Sequence, residues 1–178
     1  MLMIVFTGLS GAGKSTLAIA LQEKLAAVNY ESAIIDGDVY RNTICKDLGF
    51  SEADRRENIR RLTNVAIEKK QAGIIPIIAA INPFDDLRRE LCETNGAILI
   101  YIKCSLEKLI QRDTKGLYKK ALLPDDAPEK IWNLTGVNDR YDVPSNAGLI
   151  IDTGVENMES SAEKLFSYVK SILDQQTC

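Results

Sequence analysis

Residues 3–16 read MIVFTGLSGAGKST, and this stretch decides the fold. Its first four residues, MIVF, form a short apolar run that is typical of a buried β-strand. From Ser15 to Val28 the apolar residues recur at the spacing of a helix. The glycine-rich segment between the two patterns therefore joins a predicted strand to the start of a predicted helix.

This joining segment fits the pattern G-x-x-x-x-G-K-[ST], with Gly8, Gly13, Lys14 and Ser15 at the fixed positions. Glycines let backbone N–H groups turn inward around phosphate oxygens, and the start of a helix adds positive potential. In such a loop the lysine reaches the β- and γ-phosphates and the serine binds Mg²⁺. A chance glycine turn is the alternative, which the flanking strand and helix disfavour. The residues predicted to bind ATP here are Gly8, Leu9, Ser10, Gly11, Ala12, Gly13, Lys14, Ser15 and Thr16.

Four further apolar segments alternate with helical patterns along the chain. Strands that alternate with helices predict an α/β fold, in which a five-stranded parallel sheet is covered by helices on both faces. The apolar segments are SAIID at 32–36, IIPIIAAI at 74–81, AILIYIKC at 97–104 and GLIIDT at 148–153. The helical patterns lie at about 54–72, 85–96, 105–112 and 160–175, and the expected capping residues are Ser51, Asp85 and Asp86.

Residues 113–147 show no periodic pattern and contain Pro124, Pro128 and Pro144. A tract of this length without regular structure is usually functional when it occurs inside a compact domain. We therefore predict a lid at about 113–147 within a single domain that spans 1–178.

The composition excludes several classes of function. A net charge of −3 over 178 residues gives no field that attracts nucleic acid or acidic membranes, so the expected partners are small molecules. The first apolar run is too short to span a membrane and no export signal is evident, so a cytoplasmic location is expected. Because the chain has no histidine, proton transfer is left to Asp, Glu, Lys or water. The four cysteines show neither zinc-site nor disulfide spacing and are expected to be reduced. They are Cys45, Cys92, Cys104 and Cys178.

Two carboxylates follow the second predicted strand. Asp36 and Asp38 flank a glycine, and Arg41 follows one helical turn later. Ligands of open α/β sheets bind at the carboxyl ends of the strands, where the P-loop also lies. One carboxylate could order Mg²⁺ or its waters while the other accepts a hydroxyl proton. A surface turn without function is the alternative.

The segment DLGFSEADRRENIRR at 47–61 is rich in basic residues. On a helix Arg55 and Asn58 share a face. Together with Arg41 and the aromatic Phe50 they predict an anion clamp beside a surface that stacks a base. The alternative is a solvated charged helix face with the phenylalanine in the core.

These motifs resemble those of adenylylsulfate kinases, and the likeness extends nearly from end to end. Enzymes of this family phosphorylate the 3′-hydroxyl of adenosine 5′-phosphosulfate (APS) to give PAPS. The resemblance implies a three-layer P-loop kinase fold, phosphoryl transfer from ATP with Mg²⁺, and a homodimer. The matching strings are GLSGAGKST, DGDVYR, DLGFSEADRRENIRR, AAINPF, QRDTKGLYKKA and LTGVNDRYDVP.

The resemblance also implies a role for each matching residue. Lys14, Asp36 and Asp38 are expected to be catalytic, and Ser15 and Asp38 to bind Mg²⁺. Residues expected to contact ATP outside the P-loop are Arg112 and Thr153. Residues expected to hold the APS nucleotide are Asp36, Arg41, Phe50, Arg55, Asn58, Ile81, Lys115 and Leu134.

Several positions depart from the family pattern. Asn82 stands in AINPF where the family typically has a serine that is often described as a phosphorylated intermediate, so direct transfer is expected here. Leu134 stands where a phenylalanine usually covers the adenine of APS, and Trp132 in the longer lid could replace it as the stacking ring. The alternative for Trp132 is a ring that anchors the lid by packing on the domain. Val39 and Arg140 also differ from the usual residues.

These departures leave the acceptor open. A paralogous kinase that acts on another nucleotide-linked anhydride, such as a CDP-linked phosphoramidate, is the second hypothesis. A nucleotide-binding regulatory module without catalysis is the third. The presence of Lys14, Ser15, Asp36 and Asp38 disfavours it.

Overall fold

The computed structural model describes residues 2–177, so the predicted thiol of Cys178 lies outside the described residues. Five strands form one parallel sheet in the order β2-β3-β1-β4-β5. The predicted α/β fold with a five-stranded parallel sheet is therefore confirmed. The strands are β1 (Met3–Thr7), β2 (Ser32–Asp36), β3 (Ile75–Ala79), β4 (Ala97–Lys103) and β5 (Leu149–Asp152).

Seven helices accompany the sheet within the described residues. Each of the five helices that the sequence predicts is present, with ends that shift by a few residues. The two unpredicted helices, α2 and α6, have four and five residues and are too short to show a helical period. The helices are α1 (Lys14–Ala26), α2 (Gly37–Tyr40), α3 (Glu52–Gln71), α4 (Asp85–Asn95), α5 (Leu106–Arg112), α6 (Leu117–Ala121) and α7 (Met158–Thr177).

Local capping explains where α3 begins but not where α4 begins. Ser51 caps α3, since its hydroxyl accepts a hydrogen bond from the backbone N–H of Asp54 at 3.1 Å. The predicted caps of α4 are wrong, because Phe84 is its N-cap residue and both aspartates lie in the first turn. In the first turn the two carboxylates interact favourably with the positive end of the helix dipole. The backbone N–H of Asp85 donates a hydrogen bond to the carboxylate of Asp142 at 3.1 Å.

Apolar side chains cover both faces of the sheet. Alternate residues of β1 point to opposite faces, so Ile4 and Phe6 pack against α1 and α7, whereas Met3 and Val5 pack against α3 and α4. The helices therefore bury the sheet from both sides and leave the carboxyl ends of its strands free to form a site.

The predicted lid is less irregular than the sequence indicates. Helix α6 lies within 113–147, and Thr135 and Asp139 form an isolated bridge further along. Near the end of this tract Arg88 of α4, which is fully buried, donates a hydrogen bond to the carbonyl oxygen of Asp142 at 2.6 Å. The tract is therefore anchored to the body of the protein at this end.

No helix within residues 2–177 combines the length and the apolar character that a membrane crossing requires. Cys45, Cys92 and Cys104 are free thiols.

Replacing a core residue of α1 tests this packing. Leu21 is 0% exposed between the sheet and α7, so Leu21→Ala is expected to lower the free energy of unfolding by about 2–5 kcal/mol. Urea unfolding measures the change. Ile19 lies in the same helix but is 51% exposed, so Ile19→Ala is the matched control, with an expected change within about 0.5 kcal/mol. Equal losses in the two variants would contradict the described packing.

Candidate active site

The glycine loop leaves β1 at Thr7 and enters α1 at Lys14, as the motif predicts. Gly8 has φ 149°, and a Cβ atom there would collide with the carbonyl oxygen of Ile102. Gly13, the N-cap residue of α1, has φ 99°, which favours glycine. The loop therefore needs glycine at both fixed positions for backbone reasons, and a loop of this kind can surround an anion with backbone amides. The N–H of Ala12 is already used within the loop, since it donates to the carbonyl oxygen of Leu9 at 3.2 Å.

Lys14 is buried at the start of α1, and its Nζ donates hydrogen bonds to the carbonyl oxygens of Gly8 and Leu9, each at 2.9 Å. Burial lowers the pKa of this amine to about 8, although the nearby carboxylate of Asp38 acts in the opposite direction. Lys115 adds to the lowering by charge repulsion. The site therefore holds a cation that an anionic ligand would stabilise.

A cavity of about 530 Å³ opens beside this loop, at the carboxyl ends of β1, β2 and β3. It joins the glycine loop on one side to the basic segment at the start of α3 on the other. Predicted site residues that line it are Ser10, Gly11, Gly13, Lys14, Ser15, Thr16, Asp38, Arg41, Phe50, Arg55, Asn58, Ile81, Lys115 and Leu134. Predicted site residues that do not line it are Gly8, Leu9, Ala12, Asp36, Arg112 and Thr153.

The two aspartates after β2 have different surroundings. Asp36 caps α2, because its carboxylate accepts from the N–H groups of Asp38 at 2.9 Å and Val39 at 3.4 Å, and it also accepts from the hydroxyl of Ser15. Asp38 instead forms an ion pair with Lys115 of the lid tract and faces the cavity. Asp36 is thus fixed by its own loop, whereas the carboxylate of Asp38 is exposed and is paired with a side chain of the lid tract.

The basic wall of the cavity is formed by two arginines around Phe50. The guanidinium carbon of Arg41 lies 4.4 Å from the ring centroid of Phe50, and that of Arg55 lies 5.5 Å from it. Burial, and then the charge of Arg55, lower the pKa of Arg41. Phe50 is exposed and Arg55 is buried, so the alternative of a core phenylalanine beside solvated arginines is wrong for this pair.

Arg55 connects this wall to the lid tract. Its Nη2 donates to the carbonyl oxygen of Asn133 at 2.6 Å and lies 2.8 Å from the carboxylate of Asp139. The neighbouring Asn58 is buried, and its Oδ1 has no hydrogen-bond partner among the described residues. The unpaired Oδ1 of Asn58 can thus accept a hydrogen bond from a ligand, whereas the guanidinium of Arg55 is already paired with Asp139.

Arg112 and Thr153 lie on the far side of the glycine loop. Arg112 donates to the carbonyl oxygen of Thr153 at 2.7 Å, and the hydroxyl of Thr153 donates to the carbonyl oxygen of Ala12 at 2.8 Å. The structure therefore brings these two residues to the loop but outside the main cavity.

The lid tract contributes residues that sequence reasoning missed. Thr135 is buried on the cavity wall, and its hydroxyl has no partner among residues 2–177. Thr135 follows Leu134 in the LTG string, and this motif is the feature of the sequence from which its place in the site could have been predicted. Trp132 is 58% exposed and does not line the cavity, and Lys130 lies 4.4 Å from its ring centroid. The prediction that this ring replaces the usual phenylalanine is therefore wrong for this conformation.

Asn82 is another residue missing from the predicted site. It stood out in the sequence only as a departure from a family pattern. In the structure it lines the cavity with a buried carboxamide.

The donors available for a divalent ion are the hydroxyl of Ser15 and the carboxylates of Asp36 and Asp38. No group of three or more His, Cys, Asp or Glu side chains within the described part of the chain could hold a metal by itself. This fits Mg²⁺ in a kinase, because that ion is usually held by one or two carboxylates together with waters and the substrate phosphates.

A parallel sheet with a glycine loop after β1 and a ligand cavity at its carboxyl edge defines a P-loop kinase fold. The profile of the family described as adenylylsulphate kinase matches residues 1–152. The chain therefore belongs to the adenylylsulphate kinase family.

Individual relatives agree with this assignment. The adenylyl-sulfate kinase of Acaryochloris marina (strain MBIC 11017) is 44% identical over 168 residues, which are 93% of this chain and 80% of that protein. The Mycobacterium tuberculosis APS kinase CysC, solved in complex with AMPPNP and APS, is 32% identical with a TM-score of 0.86. The match covers 94% of this chain and 96% of that one. A hexameric APS kinase from Thiobacillus denitrificans is 27% identical with a TM-score of 0.68, over 96% of this chain and 29% of that one.

The lowered pKa of Lys14 predicts how the binding of a nucleoside triphosphate depends on pH. The γ-phosphate would favour the ammonium form and raise the pKa of Lys14, so binding above pH 8 must take up a proton. We expect the affinity for the ATP analogue AMPPNP to fall by about tenfold between pH 7 and pH 9. Calorimetry in two buffers of different ionisation enthalpy measures both the affinity and the proton uptake. An affinity that stays within about twofold, without proton uptake at pH 8.5, would contradict the described environment of Lys14.

Proposed function

We propose that this protein transfers the γ-phosphoryl group of ATP to the 3′-hydroxyl of APS, giving PAPS and ADP. The observation that carries the proposal is the single cavity that joins the P-loop to the wall of Arg41, Phe50 and Arg55. The loop suits a triphosphate, and the wall suits a nucleotide that carries an anionic group beside its base. The membership in the adenylylsulphate kinase family supports the same donor and acceptor.

Positioning and charge stabilisation account for the catalysis. Lys14 and the loop amides neutralise the charge that develops on the phosphoryl oxygens as the group moves. We assign Asp38 to the acceptor hydroxyl, because it faces the cavity, and we assign Asp36 to the orientation of Ser15. Near Asp38, Lys115 approaches from the lid tract and adds a second cation beside the transferred group.

Mg²⁺ is the proposed cofactor, with Ser15 and Asp38 as its protein ligands or as ligands of its waters. Bound with the nucleotide, the ion neutralises charge on the β- and γ-phosphates. Asp36 supports this arrangement through its hydrogen bond from Ser15.

Direct transfer is the proposed route. Asn82 lies where a serine of the family is described as a phosphorylated intermediate, and a carboxamide does not accept a phosphoryl group in that way. An in-line transfer needs positioning of the two nucleotides and no covalent enzyme intermediate.

The remaining predicted sites belong to the same proposal. Arg112 and Thr153 contact the donor nucleotide from the far side of the loop, with Thr153 near its adenine. The lid at 113–147 closes over both nucleotides and can limit turnover. A homodimer, a cytoplasmic location and a single domain over 1–178 remain predictions, and the hexameric state is a property of the Thiobacillus denitrificans protein.

A phosphorylation assay with several acceptors tests the function. The purified protein is incubated with Mg·ATP and APS, or with CDP-linked anhydrides, and mass spectrometry identifies the acceptor that gains a phosphoryl group. We expect PAPS from APS, and Lys14→Ala is expected to abolish ADP release. Arg41→Ala is expected to raise the KM for APS by about ten- to a hundredfold, because it removes a charged hydrogen-bond donor. Arg60→Ala on the exposed face of α3 is the matched control, with an unchanged KM.

Three results would contradict the proposal in different ways. Phosphorylation of a CDP-linked compound in place of APS would favour the second hypothesis. ATP binding without transfer to any acceptor would favour a regulatory module. Unchanged kinetics in the Lys14 and Arg41 variants would place the reaction elsewhere.

The second hypothesis rests on Leu134, Asn82 and the longer lid, and Leu134 allows the most direct test. This side chain is buried on the cavity wall where the family usually has an aromatic ring, so a base that binds against Phe50 lacks an aromatic partner from the lid. A cavity of this kind discriminates less strongly between an adenine and a pyrimidine.

Restoring the ring tests this interpretation. Leu134→Phe is expected to lower the Kd for APS by about tenfold, because stacking on a base is worth roughly 1–3 kcal/mol. Calorimetric titration with APS measures it, and Leu134→Met is the control that keeps an aliphatic side chain of similar volume. A weaker affinity for APS in the phenylalanine variant would show that the cavity is shaped for another base.

A further inference from the structure

Two carbonyl oxygens of the P-loop accept hydrogen bonds from hydroxyl groups that lie outside the loop. The hydroxyl of Tyr118 in α6 donates to the carbonyl oxygen of Ser10 at 2.8 Å. The hydroxyl of Thr153, which follows β5, donates to the carbonyl oxygen of Ala12 at 2.8 Å, and the carbonyl oxygen of Lys103 is a second, longer acceptor at 3.3 Å. Both hydroxyl groups are buried and neither residue lines the main cavity, so they hold the loop from behind.

These contacts set the direction of two amide groups. In a planar trans peptide the C=O of one residue and the N–H of the next point in opposite directions, and residues 2–177 contain no cis peptide. With the two carbonyl groups turned towards their hydroxyl donors, the N–H groups of Gly11 and Gly13 are turned the other way. Both glycines line the cavity, and neither N–H donates to another group in the described part of the chain. Two backbone donors are therefore left for a ligand on the cavity side.

The orientation of these peptide units matters because an anion distinguishes their two ends. The N–H end donates a hydrogen bond to an anion, whereas the carbonyl oxygen carries partial negative charge and repels it. Glycine restricts the backbone little, so a peptide unit beside a glycine turns over more easily than most. A hydroxyl donor behind the loop stabilises only the orientation in which the carbonyl oxygen faces away from the anion.

The two hydroxyl donors are themselves held by contacts outside the loop. Asp113 fixes the start of α6, because its carboxylate accepts from the N–H groups of Tyr118 at 3.0 Å and Lys119 at 2.9 Å. Burial, and then the charge of Asp113, raise the pKa of the Tyr118 phenol to about 12, so it keeps the proton that it donates. The N–H of Thr153 donates to the carbonyl oxygen of Lys103 at 2.9 Å. Each donor thus has a position that does not depend on the loop.

We propose that Tyr118 and Thr153 are positioning residues of the P-loop, whose hydroxyl groups hold the N–H groups of Gly11 and Gly13 towards the phosphates of the donor nucleotide. The amides bind the phosphate oxygens, and the two hydroxyl groups act through them. Because Tyr118 belongs to the lid tract, the anion site is complete only while α6 lies against the loop. The inference rests on the proposed function for the identity of the donor, ATP.

Variants that remove one hydroxyl group test this role. Tyr118→Phe and Thr153→Val each remove one donor and keep a side chain of similar size. Calorimetry with Mg²⁺ and inorganic tripolyphosphate, which has no nucleoside, measures the affinity of the loop itself. The same titration with AMPPNP measures the affinity of the whole donor site. In each variant we expect both affinities to fall by about three- to tenfold, with the affinity for APS alone unchanged.

Three further variants sharpen the comparison. The two hydroxyl groups hold different peptide units, so in the double variant the losses should multiply to about ten- to a hundredfold. Thr153→Ser restores a hydroxyl at the same position and should bind tripolyphosphate about three- to tenfold more tightly than Thr153→Val. Tyr30→Phe is the matched control, because Tyr30 is a half-buried tyrosine outside the cavity, and all three affinities should be unchanged.

Four results would overturn the inference. A loss for AMPPNP without a loss for tripolyphosphate would show that the two side chains act on the nucleoside. Equal losses for APS and AMPPNP would show a general distortion of the lid tract. A lower Tm in thermal unfolding of the ligand-free variants, with all affinities within about twofold of the wild type, would show a purely structural role. Unchanged affinities with an unchanged Tm would show that the hydroxyl groups have no role.

The outcome for the two hydroxyl groups stays separate from that for the proposed function. If the wild-type protein binds tripolyphosphate and AMPPNP but forms no PAPS, the proposed function is wrong, and the two affinities still decide the inference. If the wild type binds neither of these ligands, the inference is wrong as well.

Discussion

The structure depends on keeping one ammonium group charged in a place from which most water is excluded. Lys14 must lie under the glycine loop to meet a phosphate, yet burial there lowers its pKa to about 8. The carbonyl oxygens of Gly8 and Leu9 supply the partners that water supplies elsewhere. In the unfolded chain the pKa of this lysine is near 10.5. The free-energy cost of burying the charged amine is therefore fully present below about pH 8 and disappears as the pH rises towards 10.5. A bound polyphosphate offsets this cost. The burial of the Lys14 ammonium group therefore both lowers the stability of the free protein and favours the binding of anions.

The cavity beside the loop also buries polar groups at a cost in stability, but these groups are neutral. Asn58, Asn82 and Thr135 each bury polar atoms without a partner among the described residues. Unsatisfied groups of this kind lower the stability of the free protein and strengthen the binding of a ligand that completes them. They lie on three separate parts of the chain, which only the folded sheet brings to one edge.

Features with local causes could be predicted from the sequence. The P-loop, the parallel sheet and the cap at Ser51 depend on short-range patterns, and the structure agrees with them. The caps of α4 could not be predicted, because the N–H of Asp85 is satisfied by Asp142, 57 residues away. The place of Asn82 on the cavity wall was missed for a similar reason, since its backbone conformation depends on contacts of its carbonyl oxygen with Thr7 and Arg88. The orientation of Trp132 depends on how the lid packs, and no local pattern encodes that.

The anchor at Arg88 and Asp142 has a consequence for how this enzyme family diversifies. The tract before it is held separately at its other end, where the hydroxyl of Tyr118 donates to the carbonyl oxygen of Ser10 at 2.8 Å. With both ends attached, residues added within 122–130, a stretch that does not line the cavity, change mainly the entropy of closing a loop, and each doubling of its length costs only about 0.6 kcal/mol. Insertions and deletions within 122–130 can therefore accumulate over evolution while the P-loop and the acceptor wall keep their geometry.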